Sequence, residues 1–145
     1  MAVKIKDLMT RDVTTAQPHQ TVGHIKQKMA SRSVNSIPVV STEHAAVGVV
    51  SASDLLSAKK EGTPISRIMA EKVYTIPEYE DVSVAARMMN NHKIHHLIVT
   101  CEQKVVGIIS SFDLLKLIEN HRFVMKNAPT PNSKVTGSRA KSELK

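Results

Sequence analysis

What most limits the fold of this chain is that it repeats itself. Gly48-Val49-Val50-Ser51-Ala52-Ser53-Asp54-Leu55-Leu56 returns as Gly107-Ile108-Ile109-Ser110-Ser111-Phe112-Asp113-Leu114-Leu115. Upstream, Ile5 and Met9 match Ile65 and Met69, a shift of 60 that also pairs Val13 with Val73, Thr15 with Thr75, Met29 with Met89 and Val39 with Val99. By the glycines the shift is 59, so one residue has been lost in the preceding loop, where length is tolerated. Self-similarity at a fixed period means one supersecondary unit made twice. A unit of about 60 residues has a marginal core alone, so the two are predicted to pack together and share one. The 41% apolar content is sufficient for that.

Periodicity assigns the elements. Ile5 to Met9 reads as a helical turn and Val13 to Ala16 as a short extended run broken by Pro18. Thr21 caps a helix whose apolar residues Val22, Ile25 and Met29 share a face. Ser36 to Val40 and Ala46 to Ser51 read as strands around a turn, followed by a helix from Asp54 that would end at Gly62. The second unit repeats the plan: a strand at Val73 to Ile76 broken by Pro77, a helix capped by Asp81, strands at Leu97 to Thr100 and Val105 to Ser110, and a terminal helix to about Phe123. The predicted division is 1–62, 63–125 and a basic disordered tail at 126–145, where periodicity gives way to proline, serine and glycine.

The serine and aspartate of the repeat support two readings. Ser-x-x-Asp before an apolar run is a helix-capping signature. The same start of a helix offers free N–H groups to an anion, a hydroxyl to a phosphate and a carboxylate to a sugar diol.

The Gly-x-x-Ser-x-x-Asp pair, with Ile37-Pro38-Val39 upstream, resembles a tandem of cystathionine β-synthase (CBS) domains, a Bateman module, over roughly residues 5 to 120. The resemblance implies an α+β fold of two βαββα units related by a pseudo-two-fold axis and packed through their sheets. It also implies adenosine-nucleotide binding between the units, with Ser51 and Ser110 at phosphate and Asp54 and Asp113 at ribose. Backbone near Thr15, Thr75 and Pro38 would read the adenine edge; the second unit carries Ile98 where the first has Pro38. With only four aromatic residues in the chain, aliphatic walls are expected: Val13, Ile37 and Val39 in one cleft, Val73, Leu97 and Val99 in the other. His95 and His96, whose counterparts are Asn35 and Ser36, resemble the basic segment that reaches phosphate in nucleotide-binding members. By that analogy they face the other unit's motif, and the Ser51/Asp54 cleft should hold phosphate more tightly. AMP, ADP, ATP, S-adenosylmethionine and NAD all carry the adenosine such a site grips. The family also implies a homodimer whose occupancy is read by an effector protein.

Other chemistry finds little support. The histidines at 92, 95 and 96 lack an acidic or cysteine partner at a useful interval, so no metal site is expected. No nucleophile–base arrangement or Walker-type loop is present, and no enzyme activity or catalytic cofactor is expected. The formal charge of +7 invites phosphate-bearing partners, but the tail holds five basic residues against Glu143 alone, a net +4. Nucleic-acid contact through the tail is the weaker alternative, since few aromatics are available for base stacking. A ligand-free association module is another. The single cysteine, Cys101, fits a reducing compartment. Lys4, Lys6 and Asp7 stand where a signal peptide needs an apolar core, and no apolar run approaches membrane-spanning length. A cytoplasmic protein without membrane contact is expected.

Overall fold

The computed structural model describes residues 3–119. The element order is α1 (Ile5–Leu8), α2 (Val22–Arg32), β1 (Ser36–Val40), β2 (Ala46–Ser51), α3 (Ala52–Leu56), a 3-10 turn (Ile65–Arg67), β3 (Thr75–Pro77), α4 (Val82–His92), β4 (His96–Cys101), β5 (Lys104–Ser110) and α5 (Ser111–Glu119). The α+β architecture of two similar units is as expected. The predicted tail lies outside the described residues, as does the end of the terminal helix.

Two antiparallel hairpins form the centre of the units, β1 with β2 and β4 with β5. In the second unit β3 joins β4 in parallel, pairing Thr75, Ile76 and Pro77 with Ile98, Val99 and Thr100. Pro77 thus ends the strand from inside it. In the first unit the same strand shrinks to one bridge, Ala16 to Val39. Proline accounts for the difference. The amide of Ile98 donates to the carbonyl of Tyr74 at 3.1 Å, and Pro38, its counterpart, has no N–H to donate to Thr14.

The helices form where the sequence places their caps. The Thr21 hydroxyl accepts from the amide of His24, and the Asp81 carboxylate from that of Ser83. Val22, Ile25 and Met29 are buried on α2, and Ala85 and Met89 on α4. Both helices stop at a residue in the left-handed region, Ser33 (φ 55°) and Lys93 (φ 57°). The helix after β2 ends at Leu56, well short of Gly62. The Ser57 amide there turns back onto the carbonyls of Asp54 and Leu55, and no described glycine has positive φ.

The cores do not follow the repeat boundary. Ile5 and Met9 lie in the core of the second unit with Ile76, Ala85, Met89, Leu97, Val99 and Ile109. Ile65 lies in the core of the first with Val22, Ile25, Ile37, Val39 and Val50. Backbone bonds fix this exchange symmetrically. Ile5 N donates to Glu80 O (2.8 Å) and Val82 N to Val3 O (2.9 Å); Ile65 N donates to Gln20 O (2.8 Å) and Val22 N to Thr63 O (2.9 Å). The crossing segments then add a rung to the far hairpin, Thr10 against Ile108 and Ala70 against Val49. Glycine makes the crossing possible. A Cβ on Gly107 would stand 2.6 Å from Met9 Sδ and 2.9 Å from Thr10 O, and one on Gly48 2.6 Å from Met69 Sδ and 3.0 Å from Ala70 O. A third apolar cluster of Val40, Ile98 and Val105, with Ala46 and Val73, joins the two sheets, and Val105 N donates to His44 O across the join. Packing therefore hands each unit's leading turn to its neighbour, across the division predicted at residue 62.

Candidate functional site

Clefts lie where the units meet, at equivalent places in the repeat. The larger, about 300 Å³, is lined by Lys72, Val73, Tyr74, Ile94, His95, His96, Ile98 and Ile108 of the second unit and by Ser36 and Val49 of the first. The smaller, about 80 Å³, is lined by Thr10, Asp12, Val13, Thr14, Val34, Ser36 and Pro38, with Ile108 from across the join. Val13 lines the smaller cleft and Val73 the larger. Thr15 and Thr75 do not line these clefts, their neighbours Thr14 and Tyr74 doing so instead. The Thr15 carbonyl accepts from Lys28 Nζ at 2.8 Å.

The aliphatic walls need correction. Ile37, Val39, Leu97 and Val99 are at most 1% exposed and belong to the two cores. Side chains alternate along a strand, so the cleft walls are the residues between them, Pro38 and Ile98. Tyr74, Lys72, Ile94 and Ile108 were missed from the sequence. The period of two in β1 and β4 carried that signal for Ile98. The shift of 60 carried it for Tyr74, once Thr14 was seen to stand beside Val13.

His95 and His96 are also corrected. They line a second cavity of about 400 Å³ with Ser110, Ser111 and Phe112, and so stand beside their own unit's motif. Pairing explains why: His96 is opposite Ser110 in the β4–β5 ladder, and Ser111 N donates to His95 O at 2.9 Å. The same geometry puts Asn35 and Ser36 beside Ser51 and Ala52. Burial, reinforced by the His95 charge, holds the His96 imidazole below its usual pKa, against the pull of Asp113.

Both Ser-x-x-Asp motifs form reciprocal caps. Ser51 N donates to Asp54 Oδ2 (2.9 Å) and Asp54 N to Ser51 Oγ (3.3 Å). Ser110 N donates to Asp113 Oδ2 (2.9 Å) and Asp113 N to Ser110 Oγ (3.2 Å). Beyond the cap the two differ. Asp113, 6% exposed, also accepts from Ser110 Oγ at 3.2 Å and, through Oδ1, from Lys116 Nζ at 3.3 Å. For Asp54, Oδ1 has no hydrogen bond to another described residue. Capping thus leaves one oxygen of Asp54 open to a ligand, whereas a ligand donor at Asp113 Oδ1 would share that oxygen with Lys116.

The CBS domain family matches this chain over residues 5–61 and 65–120. The chain belongs to the CBS domain family. As a CBS pair it is similar to part of a homoserine O-acetyltransferase from Methanosphaerula palustris, 33% identical over 116 residues, covering 79% of this chain and 24% of that protein. The chain spans about a quarter of the length of the curated relatives it matches first. Among solved structures it resembles an acetoin utilization protein (AcuB) from Vibrio cholerae, with a TM-score of 0.75 and 28% identity over 83% of this chain and 93% of that one. It also resembles the cytosolic domain of the Mg2+ channel MgtE in complex with ATP, with a TM-score of 0.73 and 26% identity over 79% of this chain and 48% of that one. The exchanged turns and paired hairpins described above are thus those of two tandem CBS units.

Among the described residues no group of three or more metal-ligating side chains comes together, and no helix is long and apolar enough to cross a membrane. Cys101 sits on β4, where a hydrogen bond to the Glu78 carboxylate is the main cause of a raised thiol pKa. A thiol held protonated is a poor nucleophile.

Proposed function

We propose that this CBS pair is a ligand-sensing regulatory module that binds an adenosine-containing nucleotide between its units and passes the occupancy to a partner. One observation carries this reading: an apolar-walled cleft of about 300 Å³ runs between the units beside the His95–His96 segment, which also borders the Ser110 cap. That volume is at the lower end for a small-molecule site, and its walls, Val73, Ile98 and Ile108, suit a purine face. In this reading Ser51 and Ser110 meet phosphate, Asp54 and Asp113 meet ribose, and Val13 and Pro38 form the matching wall of the smaller cleft. AMP, ADP, ATP, S-adenosylmethionine and NAD share the adenosine. The likeness to the MgtE domain in complex with ATP supports that class. The module's part is regulatory rather than catalytic.

Calorimetry with AMP and 2′-deoxy-AMP tests the ribose role. A charge-assisted hydrogen bond contributes about 1.5–3 kcal/mol, so the deoxy compound is expected to bind at least about tenfold more weakly. Equal affinities would remove the aspartates from recognition. The completeness of both caps favours a second reading, in which Ser and Asp only terminate strands and start helices. That association module would give no heat with any adenosine compound.

A further inference from the structure

The two clefts are equivalent in backbone but opposite in charge. The shift of 60 sets Asp12 against Lys72, Asn35 against His95 and Ser36 against His96. Lys72, His95 and His96 line the larger cleft, whereas among the described residues Asp12 is the only ionisable one lining the smaller. Lys72 is also held in place. Its ammonium lies 5.6 Å from the centroid of the Tyr74 ring, whose other neighbour is the His92 imidazole at 4.4 Å between centroids. Lys93 adds a further cation beside His95 and Ile94 in an adjoining hollow, where the first unit has Ser33. Two groups run the other way. Arg32 reaches the Thr14 hydroxyl at 3.4 Å and so stands behind the smaller cleft, partly offsetting Asp12. Arg11 and Glu71 also reverse sign, but neither lines a cleft and the Arg11 guanidinium is turned to the Lys6 carbonyl at 3.0 Å.

We infer that the two clefts sort adenosine ligands by phosphate charge: the Lys72–His95–His96 cleft takes the nucleoside polyphosphate, and the Asp12 cleft rejects it. This rests on the nucleotide-binding reading above and goes beyond it, because the repeat alone would make the clefts alike. A carboxylate at the mouth of the smaller cleft repels each added phosphate, while an ammonium at the same point of the larger one attracts it. The imidazoles of His95 and His96 add hydrogen-bonding groups at the same cleft.

Titration calorimetry of the full chain with adenosine, ATP and inorganic tripolyphosphate tests this. ATP is expected to fill one strong site per chain and to bind more tightly than adenosine, and tripolyphosphate to bind far more weakly than ATP. Lys72→Asp should weaken ATP about tenfold or more while moving adenosine by less than about twofold. Lys72→Gln should give a smaller loss in the same direction, and Asp12→Lys should create a second ATP site. Two equal ATP sites in the native chain, or equal losses of ATP and adenosine in Lys72→Asp, would overturn the charge sorting while leaving nucleotide binding intact. Tripolyphosphate binding as tightly as ATP would replace the cleft with a general polyanion surface. Absence of heat with every adenosine compound would overturn the nucleotide reading itself and this inference with it.

Discussion

The exchange of leading turns makes a prediction that sequence order alone would reverse. Ile5 belongs to the first repeat, yet its side chain is fully buried among Ile76, Leu97, Val99 and Ile109 of the second. Ile5→Ala removes three buried carbons and leaves a cavity between α1, α4 and the β4–β5 hairpin. Such truncations cost about 2–5 kcal/mol, and about 3 is expected here because the site is closed on all sides. For a folded region of this size that lowers Tm by roughly 10 °C. A Tm shift alone does not locate the damage, since the Val40–Ile98–Val105 cluster couples the units. Native-state amide hydrogen exchange does. In Ile5→Ala the amides of β3, β4, β5 and α4 should lose protection first, and those of α2, β1 and β2 should keep most of theirs. Ile65→Ala should give the mirror image, loosening α2, β1 and β2. If Ile5→Ala loosened α2 and β1 while leaving Ile76 and Ile109 protected, the exchange would be wrong and each unit would own its leading turn.

Two further outcomes follow from single features. Because burial holds His96 below the usual histidine pKa of about 6.5, the unfolded chain binds more protons there than the folded one. The stability this contributes is full above about pH 6.5 and is lost as pH falls through the lower folded value. Tm of the free protein should therefore drop on acidification, less steeply in His96→Ser, with His95, Lys72 and Asp113 as the other charged neighbours. A polyphosphate ligand reverses the sign at this residue, since it favours the protonated ring, so its affinity should rise as pH falls. The second outcome concerns assembly. Phe112, Leu115 and Ile118 are 76%, 52% and 51% exposed at three-residue spacing along α5, and Leu56 on α3 is 80% exposed. A homodimer through this face is expected, and Phe112→Glu with Leu115→Glu should halve the mass measured by light scattering. An unchanged mass would place any dimer contact elsewhere.

Most of the fold could be read because the repeat kept apolar residues where packing demanded them. The buried Val22, Ile25 and Met29 recur as Val82, Ala85 and Met89, and the strand pairs came out within a residue or two of their ends. The exchange could not be read this way. A shift of 60 shows that Ile5 and Ile65 are equivalent, but it is equally satisfied whether each packs on its own unit or on the other. The backbone bonds of Ile5 and Ile65 to the other unit, and the narrow crossing over Gly48 and Gly107 where a Cβ would meet Met69 and Met9, fix the choice, and both are three-dimensional facts. The end of α3 is hidden from the sequence for a related reason. Gly62 suits a helix end, but Glu61 is already tied to α2, its carbonyl to Gly23 N at 2.9 Å and its carboxylate to Lys26 at 2.9 Å. Those bonds draw the chain away before a longer helix can form.

The site divides along the same line between what the duplication kept and what it changed. Ser51, Asp54, Ser110 and Asp113 were legible because a cap needs those residue types at that spacing, and for the same reason they cannot separate a capping role from a ligand role. Their surroundings can. Asp113 Oδ1 already accepts from Lys116, whereas Oδ1 of Asp54 has no hydrogen bond to another described residue, so a donor approaching Asp113 meets the more crowded carboxylate. In the first unit α3 ends at Leu56, one residue before the position equivalent to Lys116. Residues that build the fold are thus alike in both units, while residues that would meet a ligand's charge differ. The backbone positions around the two clefts repeat, while Asp12 stands in one where Lys72 stands in the other.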